Sequence, residues 1–278
     1  MTGSACRIAL GATALIVVAV AVLDAHDTWL LPTAQRVARG TRVDLHLTSG
    51  MTFAADDFVI DAARIARADT RLAGTTKPIL GRTPKPGALF LPWTPDASGL
   101  ATIAVSLKPR DLELRGGQVE EYFLDINADR DLRALWARIP APKKWRERYV
   151  KHALSYVCVE GGAGRDSSWA RPTGLDLEIV PERDPTALHV GDSLRVRVMH
   201  HGAPRAGLQI GALKDGASTP TFSVTDAAGR ATVRFPSAGW WLLHGTLLQR
   251  STDVSREWDS DFTTATVMIL PAGAKSGC

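Results

Sequence analysis

The chain has 278 residues, 45% hydrophobic and 22% charged, with 33 basic against 29 acidic side chains and a net charge of +4. Those proportions belong to a globular protein of one or two domains and exclude a disordered tail or a coiled coil. The basic residues form no long block, which excludes a nucleic-acid interface built on clustered Lys and Arg. Three cysteines (Cys6, Cys158 and Cys278) with no C-x-x-C pair exclude a disulfide scaffold and a thiolate zinc site.

Arg7 precedes an apolar run from Ile8 to Leu23. The run is shorter than the about 20 residues of a spanning helix and close to a secretory signal core. A cleavable signal peptide over residues 1–25 is expected, an uncleaved membrane anchor being the alternative. The cut falls after Ala25, removes Cys6 and makes His26 the first residue of an exported chain. In an oxidising compartment Cys158 and Cys278 could then pair, although sequence alone does not place them within bridging distance.

Residues 26–116 read as short strands. Val43, Leu45 and Leu47 alternate with Asp44, His46 and Thr48, and Phe58, Ile60, Leu89, Leu91, Ile103, Val105 and Leu107 follow in similar runs broken by Gly81, Pro84, Pro86, Gly87 and Pro92. Across 117–164 the period changes. Val119, Tyr122, Phe123 and Ile126 follow helical spacing, as do Trp145, Tyr149, His152, Ala153 and Tyr156, with Pro140 and Pro142 between them and a Gly161-Gly162-Gly164 turn at the end. Residues 165–278 return to alternation: Leu175 to Ile179, Leu194 to Val198, Leu208 to Leu213, Phe222 to Thr225, Ala231 to Phe235, Trp240 to Leu248 and Phe262 to Ile269. The expected fold is mainly β, two immunoglobulin- or transthyretin-like β-sandwiches with a helical insert between them.

No G-x-S-x-G elbow, H-E-x-x-H helix, P-loop or G-x-G-x-x-G turn is present in the sequence, so neither an enzyme nor a nucleotide binder is expected. The chemistry concentrates in the seven histidines. A chain that begins at His26 offers its α-amine and ring Nδ1 to one ion as a six-membered chelate suited to nickel, cobalt or copper. Asp27, His46 on the polar face of its strand, and His244 beside Trp240 and Leu242 are the candidate further ligands. His152 on its apolar stripe and His189 at a strand start read as structural. His200 and His201 are adjacent on a strand, where neighbouring side chains diverge, and are not expected to hold one ion together.

The order of pieces is similar throughout to one family. These are Ala25-His26-Asp27-Thr28-Trp29, the stretch Trp145 to Leu154, Gly174-Leu175-Asp176-Leu177-Glu178-Ile179-Val180-Pro181, Val190-Gly191-Asp192-Ser193-Leu194, Thr225 to Ala231, Gly239-Trp240-Trp241-Leu242-Leu243 and Glu257-Trp258. They resemble the domain-of-unknown-function family 4198, described as NikM-like or CbiK-like periplasmic components of nickel and cobalt uptake. The resemblance implies a periplasmic two-sandwich protein in which the histidine after the signal, here His26, serves a metal, with Trp29 as its structural companion. Family members often carry a histidine beyond the Trp-Leu-Leu strand where this chain has Leu247, and His244 lies three residues earlier, on the opposite strand face.

The function expected from residues and resemblance together is a periplasmic accessory protein that binds a divalent transition metal. The ion would be nickel or cobalt, or copper, and the partner a membrane metal transporter or an outer-membrane receptor. A non-metal structural or adhesive β-sandwich of the cell envelope is the alternative.

Overall fold

The computed structural model describes residues 26–161 and 167–278; the expected signal segment, Cys6, Gly162 and Gly164 lie outside the described residues. In chain order the first half contains β1 (Thr28–Pro32), β2 (Arg36–Ala38), β3 (Val43–Ser49), β4 (Phe58–Val59), β5 (Ile65–Leu72), β6 (Thr75–Pro78), β7 (Thr83–Lys85), β8 (Ala88–Trp93), β9 (Gly99–Leu107) and β10 (Arg110–Arg115). Two helices, α1 (Gly117–Asp125) and α2 (Arg130–Arg138), lead to the 17-residue β11 (Lys144–Glu160). The second half contains β12 (Leu177–Pro181), β13 (Ser193–His200), β14 (Ala203–Pro204), β15 (Gln209–Lys214), β16 (Thr221–Val224), β17 (Arg230–Arg234), β18 (Gly239–Arg250) and β19 (Trp258–Ile269).

Alternation decides which side of each strand is buried. In β3, Val43, Leu45 and Leu47 are fully buried while Asp44 and His46 face away, as the period of two requires. Between β5 and β6 the chain reverses at Ala73-Gly74, both with positive φ, the conformation whose twist matches a two-residue hairpin.

The strands form three sheets. A five-stranded sheet runs β1-β3-β8-β7 with β4 on β3, and a four-stranded sheet runs β12-β13-β14 with β17 on β13. Between them lies a ten-stranded sheet, β16-β15-β18-β19-β11-β9-β5-β6, with β2 and β10 also pairing with β11. Its middle strands are buried on both faces. Ala101, Ile103, Val105, Ala153 and Val157 pack against the five-stranded sheet with Leu30, Leu45, Leu47 and Leu91. Leu100, Ala104, Leu154, Tyr156, Ala265 and Val267 pack against the four-stranded sheet with Ile179, Val196, Val198 and Val233. The two expected sandwiches therefore share one sheet, and that sheet crosses the expected boundaries at 116 and 164.

The expected helical insert needs correction in its second half, because Trp145 to Tyr156 lies in β11 and not in a helix. This strand pairs parallel to β19 and antiparallel to β9. With one sandwich core on each side of it, from Lys151 to Val159 every residue is buried. A strand buried on both faces loses its polar alternation, and its apolar residues then match a helical template by chance. The first half is helical as its stripe predicts: Val119, Tyr122 and Phe123 are the buried face of α1. The Asp129 carboxylate caps α2 by accepting from Leu132 N at 2.8 Å. Both helices cover an aromatic cluster at one end of the central sheet, where Trp145 stacks on Trp258 with ring centroids 4.8 Å apart.

Cys158 of β11 is bonded to Cys278, with Cα atoms 5.3 Å apart, tying the carboxyl terminus to the central sheet across a separation of 120 residues. Arg36 of β2 also donates to the carbonyl of Gly277. No helix among the described residues is long and apolar enough to cross a membrane.

Candidate metal centre at the first strand

What locates His26 and Asp27 is the strand that follows them. Trp29, 1% exposed, packs edge-on against Phe53 with centroids 5.7 Å apart and lies on Leu242 of β18. The Thr264 hydroxyl of β19 donates to the carbonyl of Thr28 at 2.6 Å, and Gly50 N donates to the carbonyl of Asp27 at 3.3 Å. Lys151 of β11 donates to the carbonyl of His26. Residues two apart on a strand share a face, so anchoring Trp29 on Leu242 sets Asp27 beside His244.

The Asp27 carboxylate stands 3.0 Å from His244 Nδ1, and the imidazole is nearly buried. Burial alone would raise the Asp27 carboxyl, but His244 by charge and hydrogen bond, then Lys151 and His26, outweigh it and hold the group below the usual carboxylate range. Burial alone would depress His244; the charge and hydrogen bond of Asp27, with Asp125 further off, outweigh it and hold the imidazole above its ordinary value. The remaining nitrogen of His244, Nε2, is buried without a hydrogen-bond partner. Its edge of the ring lies over Gly211 of β15, which is directly opposite it in the ladder.

Asp125 pairs with His26. Its carboxylate is 3.6 Å from the Nδ1 of His26, whose side chain is 10% exposed. Asp125 is the last residue of α1, where a negative charge meets the negative end of the helix dipole.

Two imidazole–carboxylate pairs, Asp27–His244 and His26–Asp125, lie within charge reach of each other here, with the Lys151 ammonium partly offsetting the carboxylates. Nitrogen and oxygen donors in this mixture suit a divalent first-row transition ion. Ligands on bonds of about 2.1 Å at right angles lie about 3.0 Å apart. The Asp27–His244 spacing therefore accommodates either a proton or a metal ion between the two groups, and the two compete for it.

Of the four ligands expected from sequence, Asp27 and His244 form one pair and His26 pairs instead with Asp125, within charge reach of the first; no three of His26, Asp27, Asp125 and His244 bring donor atoms within 4.8 Å of one another. His46 is in neither pair, and its place in the ligand set is corrected. It sits across from Leu31 and Phe90, four residues along β3 from the Gly50 that bonds Asp27, or about 13 Å at strand rise. There its Nδ1 meets Asp56 at 3.0 Å and its ring lies on Phe90 with centroids 4.0 Å apart. Sequence reasoning missed Asp125, Lys151 and Gly211. A carboxylate in the last turn of a predicted helix was the one available signal, for Asp125; the other two come near only through sheet pairing.

By class this is a mainly β protein of two sandwiches on a shared sheet, with two imidazole–carboxylate pairs where the first strand meets the central sheet. The chain belongs to the domain of unknown function family DUF4198, whose sequence profile matches residues 23–247. None of the curated proteins compared matches it significantly. Among solved structures it is similar to the D0-D1 domain of intimin, at 12% identity over 88% of this chain and 97% of that one with a TM-score of 0.20. It is also similar to the Yersinia pseudotuberculosis adhesin InvE, at 13% identity over 87% and 58% of the two chains with a TM-score of 0.22. Overlaps of that size carry no argument about function.

Proposed function

We propose that this protein is an exported, periplasmic accessory protein that binds a divalent transition metal, nickel or cobalt before copper, and passes it to a membrane transporter or an outer-membrane receptor. The observation that supports the reading best is the meeting of Asp27 and His244 at 3.0 Å directly after the expected signal, with the His26–Asp125 pair within charge reach. Removal of the signal would add the α-amine of His26 to this donor set. Export is supported by the apolar run from Ile8 to Leu23 and by the Cys158–Cys278 bond, which persists in an oxidising compartment. The adhesive alternative asks for a His26 that is buried, or remote from other donors, together with an exposed apolar patch; the His26 side chain is 10% exposed and has the Asp125 carboxylate at 3.6 Å.

The test is calorimetric titration of Ni(II), Co(II) and Cu(II) into the chain beginning at His26 and into the same chain with one residue added before it. Chelation by amine and ring predicts at least a tenfold loss of affinity on extension, and a comparable loss in His244→Ala. Equal affinity of the two chains would remove the terminal chelate, and mass determination of the exported protein with a first residue other than His26 would remove its main ligand.

A further inference from the structure

The opposite face of the central sheet brings together a second set of donors that has no part in the first. In β11 the side chains of His152, Leu154 and Tyr156 point toward the four-stranded sheet, as do Asp261, Thr263 and Ala265 of β19. Above them β12 and β13 pair with Leu177 against His200, so Asp176, just before β12, lies beside the end of β13, and His201 N donates to its carbonyl at 2.7 Å. The chain turns at His201, whose φ is +47°, and the rings of His200 and His201 come to 4.2 Å between centroids. The divergence expected of adjacent strand residues ends at that turn, yet the two rings still meet different carboxylates, His200 facing Asp261 and His201 facing Asp176.

The separations are those of a coordination sphere. His152 Nε2 is 3.5 Å from one oxygen of Asp261, His200 Nε2 is 3.6 Å from the other, and His201 Nδ1 is 3.4 Å from Asp176. Donor atoms of His152, Asp176 and Asp261 all lie within 4.8 Å of one another. Ligands on a tetrahedral ion with bonds of about 2.1 Å lie about 3.4 Å apart. The His152 side chain is 1% exposed, and neither of its nitrogens has a hydrogen-bond partner among the described residues; nor does His200 Nε2. Native proteins rarely leave a buried ring nitrogen unmatched, and an unpartnered one aimed at a carboxylate it does not bond points to a missing ligand. Asp176 and His201, each more than half exposed, leave a path from solvent.

We propose that His152, His200, Asp176 and Asp261 form a second site for a divalent first-row transition ion, separate from the amino-terminal site and on the other face of the sheet. Nitrogen donors favour such an ion over calcium or magnesium. His201 holds Asp176 from the solvent side.

Co(II) tests this, because a four-coordinate cobalt ion absorbs visibly and each site can be counted. The chain beginning at His26 is compared with His26→Ala, Asp176→Asn, His200→Gln and Asp261→Asn, with circular dichroism and unfolding midpoints as controls. The expected result is two bound ions for the unaltered chain and loss of one in His26→Ala. A tenfold or greater weakening of the other ion is expected in Asp176→Asn and His200→Gln, whose midpoints without metal stay unchanged. One ion lost only with His26, and unaltered binding in Asp176→Asn and His200→Gln, would overturn the second site and leave the amino-terminal one. One ion lost only with the Asp176, His200 and Asp261 variants would support the second site and overturn the first. Asp176 is half exposed, so its variant keeps the test decisive if Asp261→Asn fails to fold.

Discussion

Gly211 sits where β15 crosses opposite His244, and its missing side chain is the space the imidazole occupies. A Cβ built on Gly211 would come 2.6 Å from His244 Cδ2 and 2.9 Å from Cε1, closer still to Nε2, where ordinary contact begins at 3.4 Å. Its φ is not among the positive ones, so alanine fits the backbone and the penalty is steric. The ring must move by about an ångström, at an overpacking cost of about 1–3 kcal/mol. Loss of glycine's freedom in the unfolded chain returns about 0.4–1 kcal/mol. Gly211→Ala is therefore expected to destabilise by about 1–2 kcal/mol, and to weaken metal binding at the amino-terminal site by pulling His244 off Asp27. In a His244→Ala background the obstacle is gone, and the same substitution should be neutral or stabilising by up to about 1 kcal/mol. Urea unfolding of the two single variants, the double variant and the unaltered chain measures this, read as midpoint changes at constant m. An equal cost of Gly211→Ala in both backgrounds would refute the argument that the imidazole fills that space.

The Asp27–His244 pair makes stability depend on pH in a defined window. The raised imidazole adds stability below its ordinary 6.5 and loses it as pH rises through the raised value. The lowered carboxyl adds stability above its ordinary 3.8 and loses it as pH falls through the lowered value. The stability difference between the unaltered chain and His244→Gln should thus be greatest between pH 3.8 and 6.5, and a His244 proton titration with a midpoint below 6.5 would contradict it. For Cys158 and Cys278, the chain-entropy relation for a separation of 120 residues gives about 5 kcal/mol, and Cys278→Ser should cost about 2–4 kcal/mol in denaturant unfolding. Reductant should then affect the unaltered chain and leave Cys278→Ser unchanged. Asp129→Ala should destabilise by about 1 kcal/mol through loss of the α2 cap, read as a lower urea midpoint at unchanged m.

Among the amino-terminal strands β3 was the most legible, because it buries one side over most of its length. Val43, Leu45 and Leu47 against Asp44 and His46 is a pattern that only a half-buried strand produces, and α1 was equally plain from Val119, Tyr122 and Phe123. The α2 helix was less so, since a single large apolar residue, Trp136, is its fully buried anchor. In the candidate site, His26 was legible from its place after the apolar run and His244 from its strand face. His46 looked equivalent to them because a strand pattern reports which side a residue faces and not how far along a sheet it lies.

Sequence by itself determined the mainly β character of the chain, the turns between its strands, the face of each half-buried strand and the peculiarity of a histidine at the expected end of a leader. These follow from local rules in which a residue's neighbours in the chain are its neighbours in space. Only the tertiary structure decided that β11 is a strand, that two sandwiches share the sheet it centres, and that Asp125 reaches His26. The same holds for His152, Asp261, Asp176 and His200, which come from four separate segments. Parallel pairing of β11 with β19 joins residues more than a hundred positions apart, and the register of that pairing is set by the packing of both sheet faces at once.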